Sequence, residues 1–262
     1  MKILFLGDIV GRPGRDIVTS LLPALREEFQ PDIVIANAEN VAGGWGITPT
    51  LAQHLLSPGL IDVITMGNHT WAKESGVEVM ENEARVLRPA NYPPGAPGRG
   101  HGLFKTASGA LVGVANLNGR IFMDPLDDPF RAATEIACQL HKQTPIVFFD
   151  FHAETTSEKA AFGWHCDGRA SVVVGTHTHV QTADERVLPG GTAFITDVGM
   201  CGPVDSVIGM DTETVLTKFR TQLPHRFKVA EEGPAILCGV VIDVDETTGR
   251  AQSIERIRRS VG

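Results

Sequence analysis

Two histidines, His177 and His179, lie one residue apart in the segment GTHTHVQTAD, in a chain that contains nine histidines. Side chains at positions i and i+2 point to the same face if the segment is extended. Neutral imidazole is a good metal ligand, and two imidazoles on one face cannot both carry a charge comfortably. The pair therefore indicates a metal site, provided that other parts of the chain supply further ligands.

More polar side chains lie at or directly after the carboxyl ends of predicted strands. They are Asp8 after KILFL, Glu39 and Asn40 in NAEN, Asn68 and His69 in GNH, and His152 at the end of IVFFDFH. The carboxyl edge of an open α/β sheet is where binding sites are built. Each residue alone is consistent with a turn, a cap or a buried structural histidine. Together they indicate two adjacent metal sites.

The predicted ligands mix imidazole nitrogen with carboxylate and amide oxygen and include no thiolate. Imidazole suits Zn, Fe, Mn or Ni, whereas carboxylate and amide oxygens suit Mn, Mg or Fe. A carboxylate can bridge two ions roughly 3.5–4 Å apart, and such a pair activates water for attack on phosphorus. Hydrolysis also needs a group that protonates the leaving oxygen. We expect His69 to be that catalytic residue, with a hydrogen-bonding role behind the ligands as the alternative.

The elements that must position these residues alternate between strand-like and helix-like segments. The segments with strand patterns are KILFL, DIVIAN, IDVITMGNH, ALVGVANL, PIVFFDFH and SVVVGTHTH. Helices are predicted over residues 15–29, after a Thr48 cap to residue 56, from residue 73, and in PFRAATEIACQLHK and TSEKAAFGWH. TAFITDVG and AILCGVVIDV predict antiparallel strands, the second of which should pair with RAQSIERIRR. The Pro- and Gly-rich residues 88–102 predict a loop.

Length and composition are those of an ordinary globular protein. The 262 residues, 42% hydrophobic and 21% charged, show no linker or repeat, so we expect a single domain over residues 1–262. A net charge of −8 argues against a nucleic-acid backbone as the main partner. Four cysteines without a CxxC motif, and no signal-peptide core or membrane-spanning run, predict a cytoplasmic protein without membrane contact.

Other catalytic motifs do not account for the chain. GDIVGRPGR is neither a GxGxxG fingerprint nor a P-loop, because no GK[ST] follows it. No GxSxG nucleophile elbow occurs. The metal hypothesis therefore remains the best explanation of the polar strand ends.

Six blocks of sequence resemble the calcineurin-like metallophosphoesterase superfamily, and within it the bacterial YmdB-like family of 2′,3′-cyclic-nucleotide 2′-phosphodiesterases. The blocks are FLGDIVGRPGR, NAENVAGG, TMGNHTW, DFHAETTSEK, GTHTHVQTADERVLP and ITDVGMCGP. The resemblance covers nearly the whole chain. It implies an α/β fold that is a four-layer α/β/β/α sandwich of two mixed sheets. It also implies that the two bound metal ions are iron or manganese rather than zinc, and that the protein forms a homo-oligomer.

The resemblance also assigns a role to each candidate residue. Asp8 and His179 resemble the ligands of one ion, with Asn40 as its further ligand. Asn68, His152 and His177 resemble the ligands of the other ion. Glu39 takes the bridging position, and His69 takes that of the proton donor.

Two positions depart from the common superfamily pattern. Asp8-Ile9-Val10 stands where most members have Asp-x-His, so one histidine ligand is absent. Glu39 stands where most members have the carboxylate of a Gly-Asp pair. The YmdB-like branch shares both changes, so they bear on the identity of the metal more than on the reaction.

The expected function is that of a metal-dependent phosphoric ester hydrolase. Specifically, we expect a dinuclear-metal phosphodiesterase that converts 2′,3′-cyclic nucleotides to 3′-nucleotides by attack of a metal-bound hydroxide, with His69 as the proton donor. One alternative is a phosphomonoesterase or phosphodiesterase of broad specificity. Another is a regulatory protein that binds a phosphorylated ligand with little turnover. The expected partner is a small phosphate ester, not a nucleic-acid duplex.

Overall fold

The computed structural model describes residues 1–261, in which strands and helices alternate along the chain. The helices are α1 (Gly11–Phe29), α2 (Pro49–Leu55), α3 (Gly76–Asn82), α4 (Pro129–Leu140), α5 (Thr156–Cys166) and α6 (Thr212–Thr221). Thr48 caps α2 as predicted, because its side chain accepts a hydrogen bond from the Leu51 backbone. The strands form two separate sheets.

The first sheet is mixed and has eight strands. They are β1 (Lys2–Leu6), β2 (Asp8–Ile9), β3 (Ile33–Asn37), β4 (Val63–Thr65), β5 (Val86–Leu87), β12 (Met200–Pro203), β13 (Ala235–Val244) and β14 (Ala251–Val261). The order is β2-β12-β13-β1-β3-β4-β5, with β14 paired to β13. β1, β3, β4 and β5 run parallel, and β13 joins β1 and β14 antiparallel.

The second sheet is also mixed, and its six strands run in the order β10-β11-β9-β8-β7-β6. They are β6 (His101–Lys105), β7 (Leu111–Asn118), β8 (Val147–His152), β9 (Val172–Thr176), β10 (Arg186–Val187) and β11 (Ala193–Ile195). The four strands β7, β8, β9 and β11 are parallel to one another. The two outer strands, β6 and β10, are antiparallel to their neighbours.

Apolar side chains between the layers hold the two sheets together. Phe5 of β1 faces Phe148 of β8 across the sheets, and their ring centroids are 5.3 Å apart. The helices α1, α2 and α3 cover the outer face of the first sheet. The helices α4 and α5 cover the outer face of the second, where Phe162 stacks on Phe151. The predicted α/β/β/α sandwich of two mixed sheets is therefore confirmed.

The structure corrects several of the predicted elements. β11, from TAFITDVG, pairs antiparallel to β10 on one side, as predicted, but parallel to β9 on the other. α1 begins at Gly11, four residues before its predicted start, since Pro13 is tolerated in a first turn. His101 and Gly102, predicted to lie in a loop, begin β6. No helix within residues 1–261 is long and apolar enough to cross a membrane.

Truncating Phe148 tests the core between the sheets. The side chain is fully buried, so we expect Phe148→Ala to lower the free energy of unfolding by about 3–5 kcal/mol. Phe122→Ala is the matched control, because the Phe122 side chain is 89% exposed. Denaturant unfolding of the two variants and the parent measures the difference. Equal stability of the two variants would contradict the assignment of Phe148 to the core.

Candidate metal centre

The eight predicted site residues meet at the carboxyl ends of parallel strands from both sheets. Asp8 follows β1, Glu39 and Asn40 follow β3, Asn68 and His69 follow β4, His152 ends β8, and His177 and His179 follow β9. β1, β3 and β4 are parallel in the first sheet, as are β8 and β9 in the second. Face-to-face packing of the sheets therefore places the two sets of strand ends next to each other.

Ligand atoms from three side chains surround Nε2 of the buried His152. Asn68 Oδ1 lies 2.9 Å from this nitrogen, His177 Nδ1 lies 3.0 Å from it, and Glu39 Oε1 lies 3.1 Å from it. A ring nitrogen carries at most one hydrogen, so it cannot donate to all three neighbours. A cation between the four atoms would satisfy each of them, and the donor set therefore fits a metal ion.

A second group of ligand atoms, from Asp8, Asn40 and His179, lies beside the first. His179 Nε2 is 3.3 Å from Asn40 Oδ1 and 4.0 Å from Asp8 Oδ1. Asp8 is fully buried, and its Oδ1 has no hydrogen-bond partner among residues 1–261. Because a buried carboxylate oxygen is costly unless it is paired or coordinates a metal, this group fits a second cation.

In His152, His177 and His179, one ring nitrogen faces the ligand groups and the second contacts a residue outside them. His179 Nδ1 is 2.8 Å from the carbonyl oxygen of Ile208, and His177 Nε2 is 3.0 Å from Glu154 Oε2. Carbonyl and carboxylate oxygens only accept hydrogen bonds, so the nitrogen facing each of them must carry the hydrogen. The opposite nitrogen of each ring therefore keeps its lone pair, which faces the cluster.

His152 is oriented in the same way by Thr176. The Thr176 hydroxyl donates its hydrogen to Asp150 Oδ1 at 2.7 Å and lies 2.9 Å from His152 Nδ1. The hydroxyl oxygen must then accept from His152, which places a ring hydrogen on Nδ1, so that Nε2 is the nitrogen whose lone pair is available to a metal ion when the ring is neutral. Metal-binding histidines are typically fixed by such hydrogen bonds behind the ligand.

The turn that carries His177 and His179 is not the extended segment expected from SVVVGTHTH. β9 ends at Thr176, and the φ angles of His177 and His179 are 98° and 64°. These left-handed conformations are uncommon for residues other than glycine. The turn directs His177 to His152 and His179 to Asn40. The two imidazoles therefore serve different groups of ligands and do not share one face.

A buried ion pair anchors this turn. Asp197 Oδ2 accepts hydrogen bonds from the Thr178 backbone at 3.1 Å, the Thr178 hydroxyl at 2.7 Å and Lys159 Nζ at 2.6 Å. Lys159 and Asp197 are almost fully buried. Loss of either partner would leave an unpaired charge inside the protein, so the pair fixes the backbone between the two histidines.

Burial and neighbouring charges shift the pKa values of the ligands. Burial raises the pKa of Asp8 to about 6, although His179 and His152 lower it. Burial raises the pKa of Glu39, but the charge and hydrogen bond of His152 outweigh it and lower the pKa to about 2. Burial and His152 lower the pKa of His177 to about 3. Burial lowers the pKa of His152, but Glu39 and Asp8 raise it to about 9. The two carboxylates thus favour positive charge at His152, whereas burial and His152 disfavour it at His177.

The sequence named all eight residues of the cluster but missed those that orient them. Asp150, Thr176 and Glu154 lie inside or beside the motifs that carry the ligands. Asp150 offered one signal, because an acidic residue inside the apolar run IVFFDFH must be hydrogen-bonded if it is buried. Nothing in the sequence joins Lys159 to Asp197, which are 38 residues apart.

Comparison with solved structures identifies the class of fold. The calcineurin-like phosphoesterase YfkN from Bacillus subtilis superposes with a TM-score of 0.57 over 99% of this chain and 90% of that chain, at 10% identity. The chain therefore has the calcineurin-like phosphoesterase fold. The structure of a novel phosphatase from Mycoplasma pneumoniae is much closer, with a TM-score of 0.92 and 37% identity over 99% of this chain and 93% of that one.

Sequence comparison identifies the family within that class. The profile of the YmdB-like protein family matches residues 4–257. A relative from Bacillus subtilis (strain 168), named 2′,3′-cyclic-nucleotide 2′-phosphodiesterase, is 54% identical over 257 residues, which are 98% of this chain and 96% of that protein. The chain belongs to the YmdB-like family, and the expected enzyme class, a phosphoric ester hydrolase, is confirmed.

Replacing Thr176 tests whether the orientation of His152 matters for metal binding. Thr176→Val keeps the shape of the side chain but removes the oxygen that accepts from His152, so we expect metal affinity to fall about 10- to 100-fold. Thr65→Val is the matched control. The Thr65 hydroxyl also donates to Asp150, at 2.5 Å, but it is not hydrogen-bonded to His152. Calorimetric titration with Mn²⁺ measures both affinities. The same loss in both variants would show that only the Asp150 network was disturbed.

Proposed function

We propose that this chain is a dinuclear-metal phosphodiesterase that hydrolyses 2′,3′-cyclic nucleotides to 3′-nucleotides. The observation that carries the proposal is the inward orientation of three imidazole lone pairs around two buried carboxylates. The name of the Bacillus subtilis relative, with 54% identity along nearly the whole chain, supports the substrate. Iron or manganese is the expected metal because the resemblance to the YmdB-like family implies it, and the mixed imidazole and oxygen donors are compatible with both.

The ligands divide between two ions. Asp8, Asn40 and His179 would hold one, and Asn68, His152 and His177 would hold the other, with Glu39 between them. When bound, such a pair supplies an activated water and neutralises charge on the phosphoryl oxygens. The chain contributes the fixed geometry, because every ligand lies at or just beyond the end of a strand and the turn of His177 is anchored by Asp197.

We infer that His69 protonates the leaving group. Its backbone N–H donates to Glu39 Oε2 at 3.0 Å, and its half-buried side chain lines the cleft beside the cluster. Burial lowers the pKa of His69, although the charge of Glu39 raises it, so protonated His69 is a stronger acid than free imidazole. As water adds to phosphorus and the bond to the 2′-oxygen breaks, His69 gives its proton to that oxygen, and the phosphate stays on the 3′-oxygen.

A phosphoesterase of broad specificity is the second candidate. The description of the Mycoplasma pneumoniae relative as a phosphatase favours it. Hydrolysis rates with 2′,3′-cyclic AMP, 3′,5′-cyclic AMP and p-nitrophenyl phosphate separate the two candidates. A 2′,3′-cyclic-nucleotide phosphodiesterase must strongly prefer the 2′,3′-cyclic ester, whereas a phosphoesterase of broad specificity need not. A regulatory binding protein would bind the same substrates without turnover. The single domain, the homo-oligomer and the cytoplasmic location stay predictions.

Replacing His69 tests its role as the acid. We expect His69→Ala to lower turnover of 2′,3′-cyclic AMP by about 10²–10⁴-fold, the usual loss when acid–base catalysis is removed, with the metal content unchanged. His54→Ala is the control, because His54 is exposed and, within residues 1–261, its ring is hydrogen-bonded only to the hydroxyl of Thr19. Steady-state kinetics and elemental analysis of both variants are the measurements. Parent-like turnover in His69→Ala would contradict the assignment.

A further inference from the structure

A cleft of about 430 Å³ opens beside the candidate metal centre and is lined by two kinds of residue. The first kind is residues of the cluster, among them Glu39, His69 and His177. The second kind is apolar residues, here called the apolar wall, which consists of Trp45, Val207, Ile208, Met210, Phe219 and Phe227. A mostly apolar cleft with a few convergent polar groups is the usual form of a small-molecule site.

The apolar wall is built as part of the fold and is tied to the metal centre. Met210 is buried in a small apolar cluster against which Trp45 and Phe227 pack. Ile208 has a φ angle of 49°, a conformation that a β-branched residue adopts only when its surroundings hold it there. The carbonyl of Ile208 accepts from His179, while its side chain is 48% exposed. The same residue thus orients a ligand and presents an apolar surface to the cleft.

We propose that the apolar wall binds the nucleobase of the substrate, with the phosphate at the metal centre and the base against Phe219 and its neighbours. The inference rests on the proposed function, since it concerns where the rest of a cyclic nucleotide lies. Phe219 is 67% exposed although it lines the cleft. An exposed aromatic ring next to a phosphate site is suited to stacking with a base.

A second cleft, which also has His177 in its lining, is less suited to a base. Its volume is about 350 Å³, and it is lined by Asn68, Phe122, Met123, Asp124 and His177. Asp124 contributes a charged carboxylate to this lining. The apolar residues of the lining are Phe122, which is 89% exposed, and Met123, whereas the apolar wall combines six apolar side chains.

The apolar wall has a consequence for specificity. Two polar side chains of the cleft outside the cluster are already bonded, since Thr178 donates to Asp197 and Glu154 faces His177. The cleft then offers the base mainly apolar side chains, so we expect the faces of the base to contribute more to recognition than its hydrogen-bonding edge. Stacking without edge contacts is tolerant of base identity, so we expect all four 2′,3′-cyclic nucleotides to be cleaved, purines better than pyrimidines because their rings are larger.

The test compares a nucleotide with a substrate that lacks a base. The substrates are 2′,3′-cyclic AMP and methyl β-ribofuranoside 2,3-cyclic phosphate, and the variants are Phe219→Ala, Phe219→Tyr and Phe122→Ala. Leu223→Ala is the control, because Leu223 is 58% exposed and is not part of the apolar wall. We expect Phe219→Ala to lower kcat/KM for the nucleotide roughly tenfold, as for the loss of one stacked ring. The baseless ester should be unaffected, and Phe219→Tyr should restore activity.

Each other outcome overturns the proposal in a distinguishable way. If Phe219→Ala changes neither substrate, or both equally, the wall does not bind the base. If Phe122→Ala produces the selective loss instead, the base occupies the second cleft. If the parent protein cleaves neither ester, the proposed function itself fails, and the base site fails with it.

Discussion

Two carboxylates and an imidazole are almost completely removed from water at the junction of the two sheets. Asp8, Glu39 and His152 are each at most 1% exposed, and uncompensated charge in such a place costs several kcal/mol per group. The hydrogen bonds of the protein offset only part of this cost, since Asp8 Oδ1 has no partner in the described residues 1–261. The arrangement of these side chains would allow bound cations to offset the remaining cost of burying the charges.

The fold makes this arrangement rigid by building it on strands. β1 lies inside the first sheet between β13 and β3, and β8 lies inside the second between β7 and β9. Phe5 and Phe148, which join the sheets, belong to these same two strands. The positions of side chains at the ends of such strands are fixed more precisely than those of side chains on loops. At His177 and His179, which lie in a turn beyond β9, the buried pair of Lys159 and Asp197 holds the backbone instead.

The sequence predicts the residues of the site better than their geometry. A polar residue directly after a buried strand is visible in the pattern, and so Asp8, Asn68 and His152 could be found. The turn at His177 could not be predicted. Its left-handed backbone is held by a hydrogen bond from Thr178 to Asp197, which lies in a separate segment of the chain. The apolar wall was missed because it combines residues from three separate segments, Trp45, residues 207–210 and residues 219–227, whose proximity the sequence does not show. The second sheet was expected only from the resemblance, since strand patterns do not show which strands pair.

The most direct test of the paired centre is anomalous X-ray diffraction from crystals of the protein grown with Mn²⁺. Two anomalous peaks roughly 3.5–4 Å apart, as in other two-metal sites, are predicted. One should lie among Asn68, His152 and His177, the other among Asp8, Asn40 and His179, and Glu39 should contact both. No peak at these side chains, or a single peak that leaves Asp8 Oδ1 without a ligand, would contradict the dinuclear centre.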